Sequence, residues 1–270
     1  MRAANREFSR LVSLLEYSAI QKRVLFNKVR LLILLLFILA PSYVYCETFH
    51  AGSDTWAPFF MVSNDQFSGI GVDILTEVVH RTGDELDLQH LPNVRALSMF
   101  DNKEIDMIVI DSPLWNDQEK LKDVLFSDEV MSVQEYIYFL KDEYIEVETP
   151  EDLRGKVVNI FRGYSYPIFE EAFNKGIVEK DEVRNELSPI RILVAKRCTA
   201  IFMDSIAFEY NASKLGYEKG IFKRGMQLSD TELRIKIRKE KASILPRINK
   251  AIAEMKRDGA IDLIIKKYTD

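Results

Sequence analysis

The chain has 270 residues, enough for one large or two modest domains. Its 47% hydrophobic and 29% charged residues form an ordinary globular balance, which excludes a disordered chain and a polytopic membrane protein. Net charge is −5; without the seven Lys/Arg and two Asp/Glu of residues 1–46 it falls to −10, which argues against nucleic acid as a partner.

The first feature along the chain is the unbroken apolar run Leu31–Ala40, preceded by Lys28 and Arg30 and followed by Pro41. A bilayer span takes about 20 apolar residues, so this run is too short to cross. A basic flank, a short apolar stretch and then Val44 and Cys46 read as a signal peptide cleaved before Glu47. A lipid anchor at Cys46 is the weaker reading, because Tyr45 stands where lipid-attachment signals carry a small residue. Export of the mature protein to the periplasm follows from the cleaved signal.

Beyond the leader, strand and helix signals alternate, which predicts an α/β architecture. Thr48–Ser53 reads as a strand, followed by the loop Trp56-Ala57-Pro58-Phe59. Val72, Ile74, Leu75, Val78 and Val79 fall at helical spacing and Gly83 stops that helix. Leu86, Leu88 and His90 alternate as a strand, Asn93 is placed to cap a helix through Phe100, and Ile105–Ile110 reads as a buried strand ending at Asp111-Ser112-Pro113. Thr149, Pro150 and Asp152 open a helix in capping-box fashion. A strand over Lys156–Phe161, a helix from Pro167 to Gly176, a helix at Ile190–Ala195 and a strand at Thr199–Met203 follow, then a helix over Ser205–Leu215. Leu233–Arg238 alternates apolar and basic residues, and two helices broken at Asp258-Gly259 close the chain.

The two cysteines, Cys46 and Cys198, supply no disulfide once the leader is removed, and Cys198 reads as a buried structural residue. The histidines at 50, 80 and 90 lack ligand spacing, so neither a metal nor a cofactor is expected. Asp54, Asp111, Gly163 and Asp204 stand at the carboxyl ends of strands, where open α/β sheets bind ligands.

Four passages in order give the chain a family likeness: Trp56-Ala57-Pro58-Phe59 with Gly69-Ile70-Gly71-Val72-Asp73; Lys103-Glu104-Ile105-Asp106 with Phe126-Ser127; Asp152-Leu153-Arg154-Gly155-Lys156; and Ile248–Ile252 with Asp258-Gly259 and Lys267-Tyr268. From Thr48 to Tyr268 the chain resembles the family 3 extracellular solute-binding proteins, the polar-amino-acid branch of bacterial transport receptors. That resemblance implies a two-lobed periplasmic-binding-protein fold of type II, a Venus flytrap that closes on a small polar ligand by hinge motion. It implies lobe one from residues 47–136 and 232–270, lobe two from 137–231, and hinge strands near Glu135–Phe139 and Gly225–Ser229. It also implies a monomer that passes its ligand to an ABC transporter permease.

The resemblance assigns Trp56 to cover the ligand, Asp204 to meet an ammonium group, and the Gly163-Tyr164-Ser165 loop to hold an anion with backbone N–H groups. Phe59 goes to the core. Asp54, Asp111 and Ser112 join the site as strand-end residues of lobe one. Amino-acid binders of the family carry an arginine shortly before the Phe-Ser pair, whereas here Lys120 occupies the nearest position and cannot offer Arg's planar fork. Arg95 and Arg162 are the two possible substitutes, and each reads equally well as a surface charge. Trp115, in a small insertion, either lines the cleft or packs its own loop.

The competing reading is an enzyme on the same fold, of the cyclohexadienyl dehydratase kind, which needs a positioned acid such as Glu170 or Glu171. A periplasmic sensor lobe is a third reading, disfavoured here because no transmembrane or kinase segment follows Asp270.

Overall fold

Two long strands organise the molecule. The computed structural model describes residues 26, 28, 30 and 46–269, apart from 117, 118, 120, 163 and 184–186. The expected leader lies outside them except for Phe26, Lys28, Arg30 and Cys46, as do Lys120 and Gly163. The strands are β1 (Thr48–Ser53), β2 (Met61–Ser63), β3 (Gln66–Ser68), β4 (Glu85–His90), β5 (Met107–Asp111), β6 (Val124–Phe126), β7 (Met131–Leu140), β8 (Val157–Phe161), β9 (Glu179–Val183), β10 (Ala200–Asp204) and β11 (Phe222–Arg238). The helices are α1 (Ile70–Thr82), α2 (Asn93–Asp101), α3 (Pro167–Asn174), α4 (Leu187–Val194), α5 (Ser205–Lys214), α6 (Leu245–Asp258) and α7 (Ala260–Thr269).

The main sheet runs β4-β1-β5-β11-β7-β10-β8-β9, with β6 also on β11. β1 pairs parallel to β4 and β5, and β8 pairs parallel to β9 and β10, while β7 and β11 are antiparallel to each other. One strand pair therefore joins two parallel α/β layers, and two hydrophobic regions sit on either side of the junction. Met131 and Val133 of β7 belong with Phe49, Leu75 and Ile252, whereas Ile137 and Phe139 belong with Leu153, Phe169 and Phe202. On β11, Leu228 packs on the second region and Leu233, Ile235 and Ile237 lie in the first. The fold has two lobes that share two strands.

The strand patterns follow from burial on both faces. In β10 every residue is buried. Ala200 and Phe202 face α3, and Ile201 and Met203 face α4 and α5. Cys198 is buried beside them and is a free thiol, which burial pushes up to about 12.

The Trp56 loop and the closing helix meet around the start of α1. Its first free N–H groups would go unsatisfied in a buried helix end; Ile70 and Gly71 donate theirs to the carbonyls of Pro58 and Phe59, both at 2.9 Å. Gly69 donates its N–H to the Tyr268 hydroxyl at 2.9 Å, and that hydroxyl donates to Asp73 at 2.9 Å. Lys267 reaches the same carboxylate at 2.7 Å. The Gly-Ile-Gly-Val-Asp passage and the closing Lys-Tyr pair thus form one clamp, and the clamp holds the Trp56 loop.

Several local expectations change. Asn93 does not cap α2: Pro92 is the cap residue, and Asp54 reaches across to accept the Asn93 N–H at 2.9 Å. A capping side chain from outside the helix leaves no signal at the position itself. Pro150–Leu153 is a single 3-10 turn in place of a longer helix, although Asp152 accepts the Thr149 N–H at 2.8 Å as the capping box requires. The short hairpin of β2 and β3, the edge strand β9 and the strand β6 were not read from sequence. β9 is Glu-Lys-Asp-Glu-Val and almost wholly solvated, so it lacks the apolar alternation that marks a strand.

Gly69 has φ of +130°, and a Cβ there would sit 2.5 Å from the Phe59 carbonyl oxygen. Gly69→Ala is expected to destabilise the protein by about 1–3 kcal/mol. Denaturant unfolding measures this as a lower midpoint with an unchanged slope.

Candidate functional site

The junction between the lobes carries an uncommon set of polar groups. β7 pairs with β10 so that Glu135 lies directly opposite Asp204, and with β11 so that Glu135 lies opposite Ser229. β11 shifts register twice, between Arg224 and Gln227 and between Gln227 and Ser229. Such bulges bend a strand and re-aim its side chains. Here they lie where the strands pass from one core to the other. The Ser229 hydroxyl donates to Glu135 at 2.8 Å, and Gln134 bonds Asp230 at 3.1 Å.

Asp204 ends β10 and caps α5, its Oδ1 accepting the Ala207 N–H at 2.8 Å. The Ile206 N–H and the Trp56 indole also lie close to its carboxylate and favour its charged form. Trp56 belongs to the first lobe and Asp204 to the second, so this contact crosses the cleft. Two others accompany it: Ile206 packs on the first lobe's core, and the Tyr210 hydroxyl meets the Met61 sulfur at 3.1 Å. Burial pushes Asp204 up to about 7 against the pull of its N–H donors, and the neighbouring Glu135 charge adds to the rise. Burial likewise raises Glu135, with the Ser229 hydrogen bond opposing it. Among the described residues, neither carboxylate forms an ion pair with a lysine, arginine or histidine.

Trp56 is partly buried, its ring centroid 4.0 Å from that of Phe59, which is wholly buried as expected. Trp115 meets the edge of Trp56 at 5.8 Å while half of its surface stays exposed, so it belongs to the cleft side of its loop. Tyr164 and Ser165 are exposed on the turn between β8 and α3. Arg162, next to them, lies 3.4 Å from Glu182 on β9. Arg95 is exposed on α2.

The lobe-one strand ends are engaged in the fold. Asp54 caps α2 and sits 3.7 Å from His90. Asp111 is buried and pairs with the buried Lys236 at 3.2 Å, while also accepting from Asn116 and the Ser112 N–H. Ser112 is 1% exposed and caps the turn that follows. Trp56 and Asp204 are the expected residues that come together; Asp54, Asp111 and Ser112 have structural partners of their own. Sequence reasoning overlooked Glu135 and Tyr166. Glu135 had a readable signal: it falls in phase with Met131, Val133, Ile137 and Phe139, the inward face of β7. Among the described residues no cluster could hold a metal ion, and no helix is long and apolar enough to cross a membrane.

Residues 50–270 match the model of the bacterial extracellular solute-binding proteins, family 3. The chain is 27% identical over 233 residues to the histidine-binding periplasmic protein of Escherichia coli K12, an alignment covering 83% of this chain and 88% of that one. It is 26% identical over 238 residues to the lysine/arginine/ornithine-binding periplasmic protein of the same organism, with the same two coverages. In fold it resembles an ancestral arginine-binding protein bound to arginine, at a TM-score of 0.67 and 21% identity, covering 83% of this chain and 98% of that one.

Two outcomes are expected from the site's electrostatics. Asp204 has a folded-state pKa of about 7 against an ordinary 3.8, so the folded state holds a proton that the unfolded state has released. That contribution to stability is complete below the ordinary value and is lost as pH rises through about 7. The ligand-free protein should melt at a higher temperature at pH 5 than at pH 8, and Asp204→Asn should reduce the difference, Glu135 retaining a share of the same sign. Separately, Asp111→Asn leaves Lys236 buried without its counter-charge, and chemical denaturation should register a loss of about 3–5 kcal/mol.

Proposed function

The chain belongs to the bacterial extracellular solute-binding proteins of family 3, and from that membership we propose that it captures an amine-bearing polar solute, an amino acid or a close relative of one, and delivers it to an ABC-type permease. The observation that carries this reading is the meeting of Trp56 and Asp204 across the cleft. A carboxylate on one lobe and an aromatic ring on the other can grip a small ammonium-bearing molecule only together, so binding favours the closed form. The relatives named for histidine and for lysine, arginine and ornithine bind ligands that all carry an α-ammonium group.

In this reading the exported, monomeric protein works in the periplasm after its leader is cleaved before Glu47. Residues 47–136 and 232–270 act as one lobe, and 137–231 as the other. Trp56 covers the ligand, Asp204 accepts from its ammonium, and the Gly163-Tyr164-Ser165 turn takes an anionic group. Arg162 is the nearer candidate for a carboxylate, since it adjoins that turn and its link to Glu182 is solvent-exposed and cheap to exchange.

The dehydratase reading has less behind it. The curated relatives are binding proteins by name. Glu170 is exposed, and Glu171 is exposed and paired with Lys175 on the same helix, as a solvated face is.

A thermal-shift screen against amino acids, amines and small organic acids tests the proposal. A true ligand at about 100 times its Kd adds roughly 2.7 kcal/mol of stability. Calorimetry with that ligand should then show Asp204→Asn weakening an amine by roughly 10- to 150-fold, and Trp56→Ala weakening every ligand that packs against the ring. An amine that Asp204→Asn binds as tightly as the wild type removes Asp204 from the site.

A further inference from the structure

Resting on the amine-binding reading, we propose that Glu135 and Tyr166 join Asp204 as a three-acceptor cage that selects a primary ammonium group by its N–H donors and not by its charge alone. A carboxylate offers about four lone-pair positions. On Asp204 the Ala207 N–H occupies one of them, and the Ile206 N–H and the Trp56 indole lie close to the same carboxylate. A primary ammonium brings three donors that diverge tetrahedrally, and they cannot all reach the two oxygens of one carboxylate. Further acceptors are needed, because a donor buried without a partner forfeits most of the gain.

The structure supplies two. Glu135 lies directly opposite Asp204 on the neighbouring strand, and opposed side chains in an antiparallel pair approach to about 5 Å at Cβ. Ser229 holds one Glu135 oxygen, Oε2, which fixes the carboxylate's orientation. The second acceptor is the Tyr166 hydroxyl. Tyr166 is 6% exposed, and its oxygen is buried with no partner in hydrogen-bonding geometry; the Phe161 N–H lies near it without meeting that geometry. Its ring is fixed at 5.1 Å, edge to face, on Phe202 of the strand that ends in Asp204. The hydroxyl senses the charges of both Glu135 and Asp204, and burial holds it protonated, so it stays a neutral acceptor.

An orphaned buried hydroxyl is costly, and so is a buried carboxylate beside a partly buried one when neither has a basic partner among the described residues. Both costs disappear together when an ammonium donates to all three groups. A hydrophobic core has no use for this set at this position, because apolar residues in the same phase of β7 would pack there without penalty.

The test uses L-histidine, L-lysine and L-arginine as probes, each beside its Nα-trimethyl derivative, with calorimetry on the wild type, Glu135→Gln, Tyr166→Phe and Asp204→Asn. The trimethyl compounds keep the positive charge and can still stack on Trp56, but they donate nothing from that nitrogen. With the tightest of the three probes, Glu135→Gln should lose at least tenfold in affinity and Tyr166→Phe several-fold. In the wild type the parent should outbind its trimethyl derivative by at least a hundredfold, and both substitutions should shrink that ratio. Glu135→Gln removes a partly buried charge that has no basic partner among the described residues, and Tyr166→Phe keeps the ring, so melting temperatures should hold or rise in both. If Asp204→Asn weakens a probe while Glu135→Gln and Tyr166→Phe stay within twofold of wild type, the cage is wrong and the amine-binding reading stands. If no probe and no other amine binds the wild type, the amine-binding reading itself fails.

Discussion

The pairing of β7 with β11 is the constraint on which everything else depends. These strands supply hydrogen bonds to two different cores: Val133 and Leu233 sit in one, Phe139 and Leu228 on the other. Neither lobe is a closed structure without them. Two crossing strands also restrict how the lobes can move, since a twist or bend must pass through the few residues between the cores. The sequence there is polar, with Gln134, Glu135, Ser229 and Asp230, and the register of β11 slips twice. A junction with little apolar packing and an irregular ladder is the part of a sheet that deforms at least cost.

The same junction explains why the site is built where it is. β10 hydrogen-bonds to the crossing strand β7, so its last residue, Asp204, lies at the boundary and not deep in one lobe. Trp56 comes to the boundary from the other side because its loop is fastened to the start of α1, where helix N–H groups need acceptors and the carbonyls of Pro58 and Phe59 provide them. Gly69 and Gly71 permit the close approach, since a side chain at either would meet the loop or Ile110. The clamp that Asp73, Lys267 and Tyr268 complete draws the end of the chain into the placement of a residue more than two hundred positions earlier.

Most of the architecture was legible because its elements are buried on one or both faces. The apolar runs at 107–111 and 200–204, the helical stripe from Val72 to Val79 and the Gly83 stop each carry the pattern that burial imposes. What escaped was structure stabilised by something other than local pattern. Edge strand β9 is charged, and α2 is capped by Asp54 from a distance. The site divides in the same way. Asp204 stands at a strand end, where position alone suggests a role, while Trp56, in the loop beyond β1, is reached through the family resemblance. Asp111 and Ser112 stand at such an end too, yet Lys236, far away in sequence, neutralises Asp111 in the fold. No local feature of Asp111 separates it from Asp204. The difference is that one strand-end carboxylate has a buried lysine and the other has a partly buried glutamate.

That contrast has a consequence for how the cleft works. A buried acid with a lysine beside it is a settled structural pair, which gains nothing from a further cation. A buried acid beside a second acid is in the opposite condition. At neutral pH, Asp204, with its pKa of about 7, can be relieved either by a proton or by a cation arriving from solution. Proton and ligand then compete for one carboxylate, and by linkage an ammonium that binds there displaces whatever fraction of a proton Asp204 was holding. The energy recovered on binding is the energy the fold gave up in leaving Asp204 and Glu135 without a basic partner among the described residues. The site's poor contribution to stability and its capacity to hold a cation are therefore one property, set by which residue stands opposite Asp204 on β7.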